Sequence, residues 1–302
     1  MSLNSVNTNI GAQVALQSLN RTNTQLQASQ KRISTGYRVA DATDDGGAYA
    51  IAQSVRASVG ALTTVNQQLG NAQGLVGRTV SALTTLSDSV TTAKSLLVQI
   101  SDASIADSQR SQYVASYISL VKQVANTVDG ATYNGQTLLG SASGTVAGAA
   151  KSVISSDTGA TISLSGEDNN GLASTLASLI GATFSRSAAG VDTITSPLPS
   201  AAQTNASTAL TSTSGTTAFS TAQTGLANQL NQAGADSKFL SATILDNSSK
   251  IDSLNAGLGA LVDADLSKES ANLQALQIRQ QLGTQALSLA NQAPQSLLSL
   301  FK

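Results

Sequence analysis

The chain has 302 residues and a net charge of −1, and charged residues make up only 11% of it. The length allows about two domains, and the near-neutral charge gives no electrostatic attraction for nucleic acid or an anionic membrane. Because histidine and cysteine are absent, the Ser-His-Asp triad, the Cys-His pair and the common zinc sites are excluded. No phosphate-binding loop or dinucleotide motif occurs either. The composition therefore predicts a protein that is not an enzyme and that holds no cofactor and no metal.

The amino terminus lacks the marks of a targeting signal. Its first positive charge is Arg21, and no continuous apolar run precedes that residue, so no secretory signal peptide is expected. No segment reaches the ~18 uninterrupted apolar residues of a membrane span. We therefore expect no membrane insertion, and any secretion would use a route that reads another signal.

Residues 3–35 predict a first amphipathic helix. Apolar side chains fall seven residues apart at Ala12, Leu19, Leu26 and Ile33, while the other faces carry Asn, Gln, Thr and Ser. This spacing is typical of a coiled coil. Because few charges are present to form ion pairs along the helix, we expect it to need a partner that covers its stripe.

Residues 36–50 interrupt the helical pattern and predict turns. The segment combines three glycines with three aspartates: Gly36, Gly46, Gly47, Asp41, Asp44 and Asp45. Aspartates in turns cap backbone N–H groups, and the alternative is that these three bind a calcium ion. Their spacing differs from that of an EF-hand loop, which favours capping.

The middle of the chain predicts three further helical stretches and then a change of character. Helical patterns cover residues 48–74 and 74–103, and a third helix follows a break near Asp107 and ends in turns at Gly130 and Gly135. Residues 141–218 carry few charges and predict a small α+β insert. Within it we expect a hairpin around residues 157–159, a short helix over 172–180, an extended segment over 183–195 and an exposed loop or linker up to 217. A helical pattern returns from 218 to 257.

The last fifty residues predict a second helix with an apolar stripe. Leu266, Leu273 and Leu287 share a seven-residue spacing with Gln280, which again indicates a coiled coil. A second line, expected to lie beside the first, consists of Ala275, Leu282 and Leu289. An apolar cluster over residues 297–301 ends the chain. Because chain termini normally fray in water, something is expected to cover this cluster.

Two sets of motifs at opposite ends of the chain resemble those of bacterial flagellins. At the start they are residues 2–9 (SLNSVNTN), 33–39 (ISTGYRV), 44–47 (DDGG) and 50–52 (AIA). At the end they are residues 263–265 (DAD), 280–283 (QQLG), 290–292 (ANQ), 294–295 (PQ) and 297–301 (LLSLF). The resemblance covers about residues 1–140 and 220–302 but not the insert. The tail and the short insert look more like alphaproteobacterial flagellins than enteric ones.

The resemblance implies both a fold and a function. The fold is mainly α, with a long antiparallel coiled-coil rod formed by the N- and C-terminal segments and a small α+β outer insert. Three parts are expected: a terminal coiled-coil domain (1–35 with 265–302), a helical rod domain (36–140 with 219–264) and a variable insert (141–218). The implied function is that of a structural subunit of the extracellular flagellar filament, used in swimming motility and exported by the flagellar type III apparatus without a cleaved signal peptide.

The terminal stripes are the expected self-assembly surfaces. They comprise Leu3, Leu19, Leu26, Ile33, Leu266, Leu273, Leu282, Leu287, Leu297, Leu298, Leu300 and Phe301. The resemblance implies that the partners are other copies of the chain in a helical homopolymer, hook-associated junction and cap proteins, and a flagellar export chaperone. Two alternatives stay open: a hook–filament junction protein with similar terminal helices, and a surface adhesin or receptor that binds a ligand through the insert.

Overall fold

The computed structural model describes residues 8–140, 148–166, 171–186 and 192–300, and for residues 213–215 and 293–300 it describes the backbone alone. The helices are α1 (Ile10–Thr35), α2 (Gly46–Ser101), α3 (Asp107–Asp129), α4 (Leu172–Ser178), α5 (Pro199–Thr211), α6 (Thr213–Val262) and α7 (Leu266–Leu300). The strands are β1 (Lys151–Ile154), β2 (Thr161–Leu164), β3 (Thr183–Arg186) and β4 (Asp192–Thr195). The expected mainly α fold with a small α+β insert is confirmed.

The chain divides into two compact units. Residues 1–60 and 251–302 form one of them, called here the terminal unit, and residues 61–250 form the other, called the central unit. In the terminal unit, α1 and α7 lie against each other. The same unit contains a small separate core, which consists of Val39, Ala48, Ala52 and Val262. Among the described residues, none of the helices combines the length and the apolar character needed to cross a membrane.

Helix α2 is longer than the sequence pattern indicated. The turn segment expected over residues 36–50 ends early, because the Asp45 carboxylate accepts a hydrogen bond from the Ala48 N–H at 3.0 Å and α2 begins at Gly46. An aspartate at this position is a favourable N-cap. The helix then continues for 56 residues, so the two separate patterns expected over 48–74 and 74–103 belong to one helix.

The core of the central unit follows the heptad lines of α2 and α3. On α2 the line consists of Val76, Leu83, Val90 and Leu97, all fully buried. On α3 the corresponding buried residues are Val114, Val121 and Val128. Tyr117, also buried on α3, donates its hydroxyl proton to the carbonyl of Leu176 in α4 at 2.8 Å. Burial raises the pKa of this phenol, so Tyr117 stays neutral and serves as a hydrogen-bond donor that holds α4 on α3.

Two antiparallel hairpins form the β part of the insert. In the first, Val153 lies opposite Ile162, and the turn carries Gly159 with a φ of 86°, a conformation that favours glycine. In the second, Phe184 lies opposite Ile194. Both pairings follow the hydrophobic alternation of the strands, which sets the register.

The expectation of a loop or linker up to residue 217 is wrong, because α5 and the start of α6 occupy this segment. Pro199 stands in the first turn of α5, where a missing N–H costs nothing. Ala202, Ala206 and Ala209 then fall on one face and are buried, since their small side chains allow α5 to pack closely on α3. A Ser/Thr/Ala composition is therefore compatible with a helix when alanines recur at helical spacing.

Candidate assembly interface

The terminal unit is built on an antiparallel pair of helices. The two helices run in opposite directions, because the α7 partner moves toward the start of α7 as the α1 residue moves toward the end of α1. The hydrogen-bonded pairs are, in order along α1, Asn9 with Ala290, Asn23 with Gln280 and Ser29 with Glu269. The α1 side chains that face α7 recur at alternating spacings of three and four residues: Ala12, Ala15, Leu19, Thr22, Leu26, Ser29 and Ile33. On α7 the facing residues are Glu269, Leu273, Leu276, Gln280, Gly283, Leu287 and Ala290. This is the spacing of a two-stranded coiled coil.

Small and polar residues fix the register of this pair. Gly283 lies opposite Leu19, and a Cβ at position 283 would approach Leu19 Cδ1 to 3.2 Å. The amide of Gln280 donates to the amide oxygen of Asn23 at 2.8 Å. A polar pair of this kind favours one register, since any shift would leave its donors and acceptors unpaired.

A charged cluster closes the end of the pair near the start of α7. Ser29, which is 1% exposed, donates its hydroxyl proton to Glu269 Oε2 at 2.8 Å, and Arg32 Nη1 lies 3.1 Å from Glu269 Oε1. These hydrogen bonds, that from Ser29 first, hold the pKa of the Glu269 carboxyl below its ordinary value. Glu269 is therefore ionised at neutral pH and ties α7 to α1.

The segment between α1 and α2 is held against the start of α7. Gly36 ends α1 in the left-handed conformation, with a φ of 74°, and its carbonyl accepts from the Ala264 N–H at 2.9 Å. The N–H groups of Arg38 and Val39 donate to the carbonyl of Val262 at 2.7 and 3.3 Å. The motif over residues 33–39 and the motif over residues 263–265 are thus neighbours in space, although more than two hundred residues separate them.

The aspartates of this segment bind a lysine and backbone groups. Lys31 Nζ lies 2.6 Å from Asp41 and 2.9 Å from Asp44, and Asp44 also accepts from the Ala40 N–H at 3.0 Å. The Lys31 ammonium lowers the pKa of both carboxyls, with Thr43 adding to the effect on Asp41. Within the described ranges, no cluster of acidic side chains is arranged to share a metal ion. The capping interpretation is supported by the backbone N–H groups of Ala40, Thr43 and Ala48, which donate to Asp44, Asp41 and Asp45.

Helix α7 carries a second apolar line on the face turned away from α1. Ile278, Leu282 and Leu289 are 59%, 58% and 69% exposed, and with Ala275 they follow the same alternation of three and four residues. Leu282 and Leu289 each follow a residue of the inner line, Gln280 and Leu287, by two positions. Two positions on a helix correspond to a rotation of about 200°, so the two lines lie on nearly opposite sides of α7. The expectation that Leu282 and Leu289 lie beside the Leu273–Leu287 line, in one wide stripe, is therefore wrong: α7 has two separate apolar faces, and only one of them meets α1.

Helix α1 also leaves apolar side chains uncovered. Ile10, Val14 and Leu16 are 45%, 61% and 48% exposed near its beginning. Together with the outer face of α7 they give the helix pair apolar surface on sides that the described residues of the chain do not cover. Exposed apolar surface of this kind is a candidate site of association with another molecule.

The structure places the predicted assembly residues in three groups. Leu19, Leu26, Ile33, Leu273 and Leu287 are half-buried between the two helices. Leu266 and Leu282 are exposed, at 49% and 58%. The rest fall at the chain ends, where Leu3 and Phe301 lie outside the described residues and only the backbone of Leu297, Leu298 and Leu300 is described.

Three residues of the pair escaped the sequence-based prediction. Leu276, which is 3% exposed, is the most buried residue of α7 among those whose side chains are described, and Ser29 is the most buried of α1. Ile278 belongs to the outer line. An alternating spacing of three and four residues, applied in place of a strict spacing of seven, would have included all three.

These features define a class of protein: a helical subunit whose paired terminal helices carry further, exposed apolar faces. Comparison with known proteins identifies the family. The model of the bacterial flagellin N-terminal helical region matches residues 6–144, and that of the bacterial flagellin C-terminal helical region matches residues 216–301. The chain belongs to the bacterial flagellin family, as the terminal motifs indicated.

Relatives match along the whole chain, including the insert that the two family models leave out. Flagellin FljK of Caulobacter vibrioides is 35% identical over 305 residues, covering 100% of both chains. The flagellin of Brucella melitensis is 33% identical over 321 residues, covering 99% of both. Flagellin C of Rhizobium meliloti is 31% identical over 329 residues, covering 99% of this chain and 100% of the relative. The likeness to alphaproteobacterial flagellins is confirmed, and the chain is a structural subunit of the extracellular flagellar filament.

Proposed function

We propose that copies of the chain assemble through the outward faces of the α1–α7 pair. The observation that supports this is the second apolar line of α7, which repeats the spacing of the line that already binds α1. A helix with two such lines can pack against one helix within its chain and another from a neighbour. Low charge on these faces suits a polymer of identical copies, because a like charge would recur at each contact between subunits.

The assembly residues of this proposal divide between two tasks. Leu19, Leu26, Ile33, Leu273 and Leu287 hold the pair together, whereas Leu266 and Leu282 face the neighbouring copies. We assign the end residues Leu3, Leu297, Leu298, Leu300 and Phe301 to assembly from the sequence pattern alone. In this arrangement residues 1–35 with 265–302 form the inner domain, residues 36–140 with 219–264 the helical rod domain and residues 141–218 the outer insert.

A charge on the outer line tests the proposal. Leu282→Asp places a carboxylate where a neighbour is expected to bury it without a partner, which costs several kcal/mol at every subunit. Gln281→Asp is the matched control, because it adds the same charge to the same helix one residue away from the line. We expect sedimentation and electron microscopy to find filaments for Gln281→Asp and none for Leu282→Asp. Normal filaments of Leu282→Asp would show that the outer line is not an assembly surface.

We further propose that the subunit leaves the cell through flagellar type III export, without a cleaved signal peptide, and that it meets an export chaperone, junction proteins and a cap on the way. Membership of the bacterial flagellin family supports this route, because the resemblance to flagellins implies it. Amino-terminal sequencing of native filaments tests it. A sequence that begins at Met1 or Ser2 is expected, and a start farther along the chain would indicate cleavage.

A further inference from the structure

The central unit contains a cleft that the family assignment does not explain. It measures about 200 Å³ and lies between α2, the turn at Tyr133 and the first hairpin. Its floor is apolar and consists of Leu75, Val153 and Leu164, and Lys151 stands at its rim. Pockets for small molecules usually begin near 300 Å³, so this cleft has the size for a single side chain rather than a free ligand.

The wall of the cleft is held in place by a tight turn. Tyr133 and Gln136 exchange backbone hydrogen bonds of 2.9 and 3.0 Å across Asn134 and Gly135, whose φ angles of 50° and 72° are those of a two-residue hairpin turn. The Tyr133 ring lies directly on α2 at Gly74, where an added Cβ would come within 2.7 Å of the ring. The cleft is therefore formed before any partner arrives.

The polar groups at the rim have no partners within the described parts of the chain. The side chains of Gln68, Asn71 and Gln136 line the cleft and make no hydrogen bond with a described residue. Lys151 likewise makes no ion pair with a described carboxylate, in contrast to Lys250, which pairs with Asp157. An apolar floor with a positive rim suits an apolar side chain that is accompanied by a carboxylate.

Helix α6 presents such a combination on its exposed face. Phe239 is 57% exposed, and Asp246, which is also exposed, follows seven residues later on the same face of the helix. Asp246 makes no ion pair with a described residue.

The distance between Phe239 and Asp246 on α6 matches the distance between the floor of the cleft and Lys151 at its rim. Phe239 and Asp246 are separated by about 10 Å along α6. Val153 and Lys151 point to the same face of β1 about 7 Å apart, and the lysine side chain extends several ångströms farther. A phenyl ring on the floor of the cleft therefore brings the aspartate within reach of the ammonium group.

We propose that Phe239 of one copy enters the cleft of a second copy, and that Asp246 of the first pairs with Lys151 of the second. The inference rests on the assembly proposed above and names a second contact within it. The face of α6 that carries Phe239 and Asp246 and the cleft are different surfaces of the chain, so the contact is head-to-tail. Contacts of this kind do not close into twofold dimers, and they build open helical polymers when the rotation between copies does not close a ring.

Cross-linking in a chain that lacks cysteine tests the contact directly. Lys151→Cys chains and Asp246→Cys chains are mixed, polymerised and treated with a short bismaleimide. Because each chain carries one thiol, a mixed dimer can form only between copies. Lys238→Cys, on another face of α6, replaces Asp246→Cys in the control. We expect mixed dimers with Asp246→Cys and none with Lys238→Cys. This contact would be overturned if filaments formed without the Lys151→Cys/Asp246→Cys dimer, or if both mixtures gave the same yield of mixed dimer. Either result would leave the proposed assembly through the terminal helices unaffected.

A charge swap covers the case in which the cysteine variants polymerise poorly. We expect Phe239→Ala to raise the critical concentration for filament growth about tenfold, and Lys151→Glu or Asp246→Lys to raise it about threefold each. The double variant Lys151→Glu/Asp246→Lys should return to within about twofold of the parent. If the critical concentration of the double variant is at least as high as that of each single variant, the pairing of Asp246 with Lys151 is contradicted. If Phe239→Ala has no effect while a neutral monosaccharide slows amide exchange at residues 133–136, the cleft binds a free ligand and the proposal is wrong.

Discussion

Ser29 on α1 donates a 2.8 Å hydrogen bond to Glu269 on α7, a residue 240 positions farther along the chain. Both side chains are largely withdrawn from water, since Ser29 is 1% exposed and the Glu269 side chain 15%. Ser29→Ala removes a hydrogen bond to a charged group, and we expect it to lower the free energy of unfolding of the α1–α7 pair by about 1.5 kcal/mol. Native-state hydrogen exchange of filaments, read at the amides of both helices, measures this change.

The matched control for this experiment is Ser34→Ala. The Ser34 hydroxyl donates to the carbonyl of Lys31 in its own helix at 3.3 Å and is exposed. Its loss removes no contact between helices, so exchange should change by less than about 0.5 kcal/mol. Equal effects of the two substitutions would show that the contact with Glu269 does not hold the helices together.

Arg110 is expected to be the most sensitive charged residue of the central unit. It is 3% exposed and donates to the carbonyls of Ile100, Asp102 and Ile105, where α2 ends and the chain turns into α3. In Arg110→Lys a single ammonium group replaces the branched guanidinium, whose separate nitrogens contact the three carbonyls, so the lysine cannot keep all three hydrogen bonds. We expect Arg110→Lys to lower the free energy of unfolding, measured with urea, by about 3 kcal/mol. Asp107→Asn, which changes a carboxylate that is 67% exposed, should cost less than about 1 kcal/mol.

Two glycines one turn apart on α2 should respond differently to alanine. At Gly70 an added Cβ meets nothing within 4 Å, so Gly70→Ala should stabilise the central unit by about 0.5–1 kcal/mol through helix propensity. At Gly74 the Cβ would collide with the Tyr133 ring at 2.7 Å, and displacing the ring offsets that gain. We expect the two variants to differ by about 1 kcal/mol or more in urea unfolding. Equal stabilisation would mean that the ring does not pack on α2.

The terminal unit should lose stability in acid. Lys31 holds the pKa values of Asp41 and Asp44 below the ordinary value of 3.8, so as the pH falls the unfolded chain takes up protons before the folded chain does. The stabilisation is complete above about pH 5 and is lost progressively at lower pH. Urea unfolding at a series of pH values measures the slope. Lys31→Met should flatten it, whereas Lys268→Met, which removes an exposed lysine without an ion pair to a described residue, should leave it unchanged.

Local patterns were sufficient for the helices that carry strong heptad lines. The lines through Val76 and Leu97 on α2 and through Val114 and Val128 on α3 are buried as expected, because one face of each helix is apolar and the other polar. The segment over residues 199–217 was misjudged for the opposite reason. Its alanines carry little hydrophobic signal, and α5 depends on packing against α3, which a local pattern does not contain.

The sequence by itself determined the family, through two sets of motifs at opposite ends of the chain, and it determined that both terminal segments are helices with apolar lines. Only the tertiary structure decided which line of α7 meets α1. Both lines have the same spacing and similar apolar content, so propensity cannot choose between them. The choice depends on contacts between distant residues: Gly283 admits Leu19, Gln280 binds Asn23, and Glu269 binds Ser29 and Arg32. The line with Leu282 and Leu289 has no such partners within the described chain and stays exposed.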